Sequence, residues 1–350
     1  MTDRAAKRQR LLGVLDAAGA ERLVLTTHGA IGWYLEGART HTSLAGDPLL
    51  AVVVDREGDT VVVYDNERER LEREELPAGL DIVEVPWHAP LASALPNGPL
   101  VAREADVAPL LRAARASLLP AELERYRSLC RESAEAVTRV LLEVRPDDTE
   151  RQVAAALGAL LVARGIDPLV LLVAGRERLG HRHPLPTDAA LGDRAMVVVC
   201  GRRHGLVANL TRWVRFGPAR PGERDADERI REVEAAFFAA TAPGTRLNEV
   251  FAAGIAAYAA NGFDPDEWRR HHQGGAAGYN GRDPRATPHV ADVVQLGQPF
   301  AWNPSAPGAK IEDTVLLAAD GMEVLTADAA WPTVTVAGLE RPIEMERETP

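Results

Sequence analysis

"MVVVCGRRHGLVANLTRWVRFG", residues 196–217, is the stretch that decides how the chain is read. It opens on an apolar run from Met196 to Val199 and turns at Gly205. It continues with Asn209, Thr211 and Trp213 at alternate positions as far as Phe216. Alternation of this length predicts two antiparallel strands, each half-buried. Asn209 is the anomaly. Strand interiors disfavour Asn, and a buried carboxamide needs hydrogen-bond partners to offset its desolvation.

The composition around that hairpin is ordinary for a globular chain: 350 residues, 46% apolar and 26% charged, enough for two domains with real cores. A net charge of −11 argues against non-specific nucleic-acid binding, which rests on clustered Lys and Arg neutralising phosphates. The basic start "MTDRAAKRQR" leads into an amphipathic helix, not a signal-type apolar core, and no apolar run is long enough to span a bilayer. The expectation is a cytoplasmic protein with no membrane or nucleic-acid partner. The two cysteines, Cys130 and Cys200, fall in a helix pattern and at a strand end, so no disulfide framework is expected. No Cys/His spacing has the form of a zinc site.

The chain divides by pattern. Residues 1–117 read as an α/β domain: a helix over 1–20, then strands at "RLVLTT", "LLAVVVD", "DTVVVYD" and "DIVEVPW", with "ERERLEREEL" as a charged helix. Residues 118–350 read as an α+β domain. Its first helix starts at Pro120 and stops at Pro146, and its second has Asp147 or Thr149 as N-cap and Gly165 as stop. Strands are predicted at 169–174 and 196–216, helices at 224–242 and 245–261, and a strand-rich remainder.

Several segments of the second domain stand in a recognisable order: "ERYRSLCRESAEAV", "VRPDDTERQVAAAL", "RHPLPTD", "LGDRAMVVV", "GLVANLTR", "HHQGGAAGYNGRD", "FAWNPS" and "KIEDTVLL". In that order they resemble the landmarks of the pita-bread fold of methionine aminopeptidase, prolidase, aminopeptidase P and creatinase. The leading α/β domain resembles the amino-terminal domain of the creatinase and prolidase branch. The metallopeptidases of this group hold two divalent ions with two Asp, one His and two Glu. Carried over position by position, the two Asp fall on Val198 and Asn209, the His on Gly275, and the first Glu on Asn303. Only the last Glu keeps its type, as Glu312. Hard divalent ions need several anionic oxygens, so the resemblance implies no metal cofactor and makes Asn209 a remodelled pocket residue.

The same resemblance supplies the candidate roles. His183 matches the general acid/base of creatinase, against a plain reading as a loop histidine before Pro184. Glu312 matches a carboxylate that binds a guanidino group, or is structural and paired with Lys310 or Thr314. Arg282 could clamp a substrate carboxylate or pair with the adjacent Asp283. One of His271 and His272 is expected to line the pocket and the other to be exposed. Cys200 shares a strand face with Val198 and is either a thiolate nucleophile near His183 or a space-filling residue. Trp302 should point into the core. Asn209 and Asn303 would contact the substrate. Arg39 resembles a position that reaches a partner subunit's site, so a homodimer is expected. The resulting expectation is a metal-independent enzyme cleaving a C–N bond of a small, polar, nitrogen-rich substrate. The alternative is a non-catalytic ligand-binding or interaction module of the same fold.

Overall fold

The computed structural model describes residues 3–348. The chain forms two compact units, Met1–Glu122 with His204–Leu206, and Leu123–Arg203 with Val207–Pro350. In the first unit, Val-rich strands build a five-stranded mixed sheet in the order Asp81–Val85, Asp59–Tyr64, Leu50–Asp55, Arg22–Leu25, Val101–Arg103. The expected helices are present as Asp3–Ala18 and Arg68–Glu74. A helix at His28–Tyr34 was not foreseen, because "HGAIGWY" carries two Gly and no polar face. It forms because Thr27 caps it and the fold buries six of its seven residues, so packing overrides propensity. The Lys7–Glu122 ion pair, 2.9 Å long and fully buried, lies beneath it, and Lys7 Nζ also donates to Trp33 O.

The second unit carries two four-stranded sheets. One has the order Met345–Arg347, Leu206–Phe216, Arg194–Arg203, Asp167–Ala174; the other Gly321–Val324, Val315–Ala318, Pro299–Trp302, Gly274–Ala276. Helices Pro120–Glu143, Glu150–Val162, Glu223–Ala240 and Leu247–Ala260 match the predicted positions within a few residues. Thr149 is the N-cap of the second, closing a capping box with Gln152. Trp302 does point into the core, its ring stacked on Phe237 at 4.6 Å. Gly254 makes room for that pair, since a Cβ there would lie 2.2 Å from the Phe237 ring.

The quoted hairpin forms, turning at His204 and Gly205, both at positive φ. One expectation about it is corrected. Strand Leu206–Phe216 is buried at every position, not on one face. The polar residues that would have met water meet buried ion partners. Arg212 pairs with Asp313 at 2.7 Å, and Asp313 also accepts from the Thr326 hydroxyl. Arg341, on strand Leu339–Pro342, makes two 2.7 Å hydrogen bonds to Glu234 and lies 2.9 Å from Asp313. All four charged groups are under 5% exposed. Breaking such a network strands the remaining charges. Arg341→Ala is therefore expected to cost about 3–5 kcal/mol, read as a lower urea midpoint with an unchanged slope.

Candidate active site

The site is assembled on strand Leu206–Phe216, where Asn209 and Thr211 share one face. The segment 312–314 is laced to it. Asn209 N–H donates to Thr314 Oγ1 at 2.8 Å, that hydroxyl donates back to Asn209 O, and Thr211 N–H donates to Glu312 O at 3.0 Å. The Asn209 amide nitrogen donates to Val207 O at 3.1 Å, which fixes the orientation of the side chain. Its Oδ1 is buried and has no partner. Asn303, just beyond strand Pro299–Trp302, donates its backbone N–H to Gln273 O, and its Oδ1 is likewise buried without a partner.

Glu312 is 2% exposed and saturated from within. Arg282 donates to Oε1, the Thr211 hydroxyl donates to Oε2 at 3.0 Å, and Lys310 Nζ stands 3.2 Å from Oε2. Burial alone would raise its pKa. The Lys310 and Arg282 charges and the hydrogen bonds from Arg282 and Thr211 outweigh that and hold the carboxyl well below its usual range. Arg282 is ion-paired with Glu312, a residue 30 positions away and a partner that neither sequence alternative, a substrate carboxylate or the adjacent Asp283, had named. Glu312 pairs with Lys310, as its structural alternative held, and with Thr211 instead of Thr314.

Three histidines gather beside this carboxylate. His183 Nε2 is 3.2 Å from His271 Nε2, and His272 stacks on His271 at 4.4 Å between ring centroids. One ring nitrogen from each lies within 4.8 Å of the others, a grouping able to take a metal ion. No sequence spacing signalled it, because His183 comes from a segment far from the other two. Of the adjacent pair, His271 is buried, at 7% exposure, and His272 is half-buried, less exposed than expected. Burial, with the Lys310 charge, lowers the His271 pKa to about 2. Burial and the Arg282 and Arg285 charges lower that of His272 to about 3. Partial desolvation and Lys310 lower that of the exposed His183. All three rings are neutral near pH 7.

A dinuclear carboxylate centre does not fit these residues. Val198 packs among Leu172, Ala174, Met196 and Trp213. Gly275, at φ 145°, leaves no space for a side chain: a Cβ would lie 2.6 Å from both Ala286 N and Pro284 O. The one remaining carboxylate is already neutralised. Burial and the Glu312 charge push the Cys200 thiol up to about 12, which disfavours the thiolate that a nucleophilic role needs. Arg39 lies on the surface of the first unit, with its Nε hydrogen-bonded to Glu75. Lys310 and Thr211 are the contributors that sequence reasoning did not single out as site residues. The signal was in "KIED" and in the alternation Asn209, Thr211.

The two-sheet α+β unit with its site on the buried hairpin defines a pita-bread peptidase-fold protein. Residues 124–319 match metallopeptidase family M24, and the chain belongs to that family. It is 28% identical over 169 residues to the agropine synthesis cyclase of Rhizobium rhizogenes, covering 45% of this chain and 42% of that one. It is 23% identical over 215 residues to the Xaa-Pro dipeptidase of Pyrococcus furiosus, covering 59% of this chain and 61% of that one. The chain thus spans roughly half the length of these curated relatives. Among solved structures, the dipeptidase PepE of Mycobacterium ulcerans superposes with a TM-score of 0.76 at 20% identity, over 99% of this chain and 100% of that one, which shows the shared fold. Among the described residues no helix is long and apolar enough to cross a membrane.

The lowered histidine pKa values have a sign. Below pH 6.5 the unfolded chain protonates its imidazoles while the folded His271 does not, so stability is lost as pH falls. His271→Asn removes one such group. The variant should lose less stability than the wild type between pH 6.5 and 5, by up to about 1.4 kcal/mol per pH unit, measured by urea denaturation at each pH.

Proposed function

We propose that this chain is a metal-independent enzyme that cleaves a C–N bond of a small, polar, nitrogen-rich substrate, with His183 moving the proton. The observation that carries the reading is the state of Glu312. Lys310 and Arg282 occupy its oxygens, where the metallopeptidase pattern would have the carboxylate serve metal ions. Neutral imidazoles stand beside that cluster, a state that supports proton transfer through His183. His183 takes a proton from the attacking oxygen as it bonds to the substrate carbon. As the C–N bond breaks, the same ring returns the proton to the leaving nitrogen. An attacking water gives hydrolysis. A hydroxyl of the substrate itself gives ring closure, the kind of reaction for which the agropine synthesis cyclase is named.

Glu312 enters this scheme by fixing Lys310 and Arg282, with Asn209 and Asn303 facing the substrate. A purely structural module of this fold would satisfy its buried polar atoms internally. Here Asn209 Oδ1, Asn303 Oδ1, His271 Nδ1, His272 Nδ1 and Arg282 Nε are all buried without partners, which favours a ligand over a scaffold.

Two outcomes are expected. The purified, dialysed protein should hold no stoichiometric Mn, Co, Zn or Fe by elemental analysis, and an equivalent or more per chain would sink the proposal. With a substrate in hand, His183→Ala should lower turnover by about two to four orders of magnitude with the fold intact. Glu312→Gln should weaken binding and turnover together, and Cys200→Ser should be nearly silent. An inactive Cys200→Ser beside an active His183→Ala would replace this mechanism with a thiol one.

A further inference from the structure

The two orphan amide oxygens and the charges around them specify the substrate group more narrowly than the reading above, on which this inference rests. Asn209 Oδ1 and Asn303 Oδ1 are acceptors, on side chains 0% and 3% exposed. The bond from the Asn209 amide nitrogen to Val207 O rules out the flipped orientation, so this position offers an oxygen. A pair of such oxygens calls for a group that presents N–H donors. The surrounding charge then decides its sign. Glu312 supplies one negative charge, and Lys310 and Arg282, both in contact with it, supply two positive ones. Arg285 adds a third cation acting on His272 and His183. Arg282 is also the chain neighbour of Gly281, whose Cβ position lies 3.7 Å from Asn209 Oδ1. A cationic guanidinium placed on Asn209 would meet this excess of positive charge, and like charges in a desolvated site repel strongly.

We propose that Asn209 and Asn303 accept from N–H donors of a substrate bearing a neutral carboxamide or ureido group, and that the site rejects the guanidinium of the same shape. The two Asn residues are then specificity determinants. They are acceptors without charge, matched to donors without charge, and replacing either with a carboxylate restores a counter-ion for a cation.

An isosteric pair tests this: N-carbamoylglycine and guanidinoacetate, which share a skeleton and differ in a neutral ureido oxygen against a cationic guanidinium nitrogen. Titration calorimetry on the His183→Ala variant measures binding without turnover. N-carbamoylglycine is expected to bind at least about tenfold more tightly than guanidinoacetate, the scale on which an unmatched polar group is discriminated. Asn209→Asp and Asn303→Asp, made singly in that background, should narrow or reverse the ratio. Equal or tighter binding of guanidinoacetate would overturn the proposal. So would a ratio unchanged in both Asp variants, or binding of neither probe at about 50 mM, well above the millimolar scale of weak specific binding. None of these outcomes depends on His183 carrying the proton. That reading fails separately, if His183→Ala turns over substrate at the wild-type rate.

Discussion

A carboxylate that is almost fully buried, Glu312, stands between two cations of its own chain, Lys310 and Arg282, and the rest of the site depends on that arrangement. A buried charge must be compensated or it takes up a proton. In a metallopeptidase the compensation at such a carboxylate comes from bound ions. Here the chain supplies it, and the consequence spreads outward. Burial, together with the field of the cations, keeps the neighbouring imidazoles neutral. The burial that makes the ion pairs strong also keeps the Cys200 thiol protonated.

The packing of the second unit holds this cluster in place. Segment 312–314 is bonded to strand Leu206–Phe216 through Thr211 and Thr314, so the position of Glu312 is set by backbone geometry, not by a flexible loop. One residue on, Asp313 faces a second buried charge network with Arg212, Arg341 and Glu234. Adjacent residues thus serve two roles, Glu312 in the pocket and Asp313 in the structural frame. This explains why strand Leu206–Phe216 can be polar in sequence and buried throughout. Its polar side chains are matched to partners drawn from distant segments.

Gly275 shows that the remodelling is steric as well as electrostatic. The backbone of residues 284–286 occupies the volume a side chain would need, so the position could not simply regain a ligand by a single substitution. Val198, across the strand pair, has joined an apolar cluster. Amide oxygens and ring nitrogens are among the polar atoms left unsatisfied at the site, groups suited to hydrogen bonding and proton transfer more than to hard cations.

The sequence by itself determined the fold class and the positions of most helices and strands. These are local patterns or an ordered series of short motifs, and each can be read without knowing what lies opposite. It also singled out Asn209, because an amide within a strand pattern is conspicuous on its own. Only the tertiary structure decided how the charges pair. Arg282 met Glu312 across 30 positions, Lys310 became part of the site, and His183 met His271 across 88 positions. It also buried the short helix His28–Tyr34, whose sequence has no amphipathic signal. The physical reason is the same in each case. Pairing and burial depend on which groups the folded chain brings within a few ångströms, and separation along the sequence carries no information about that distance.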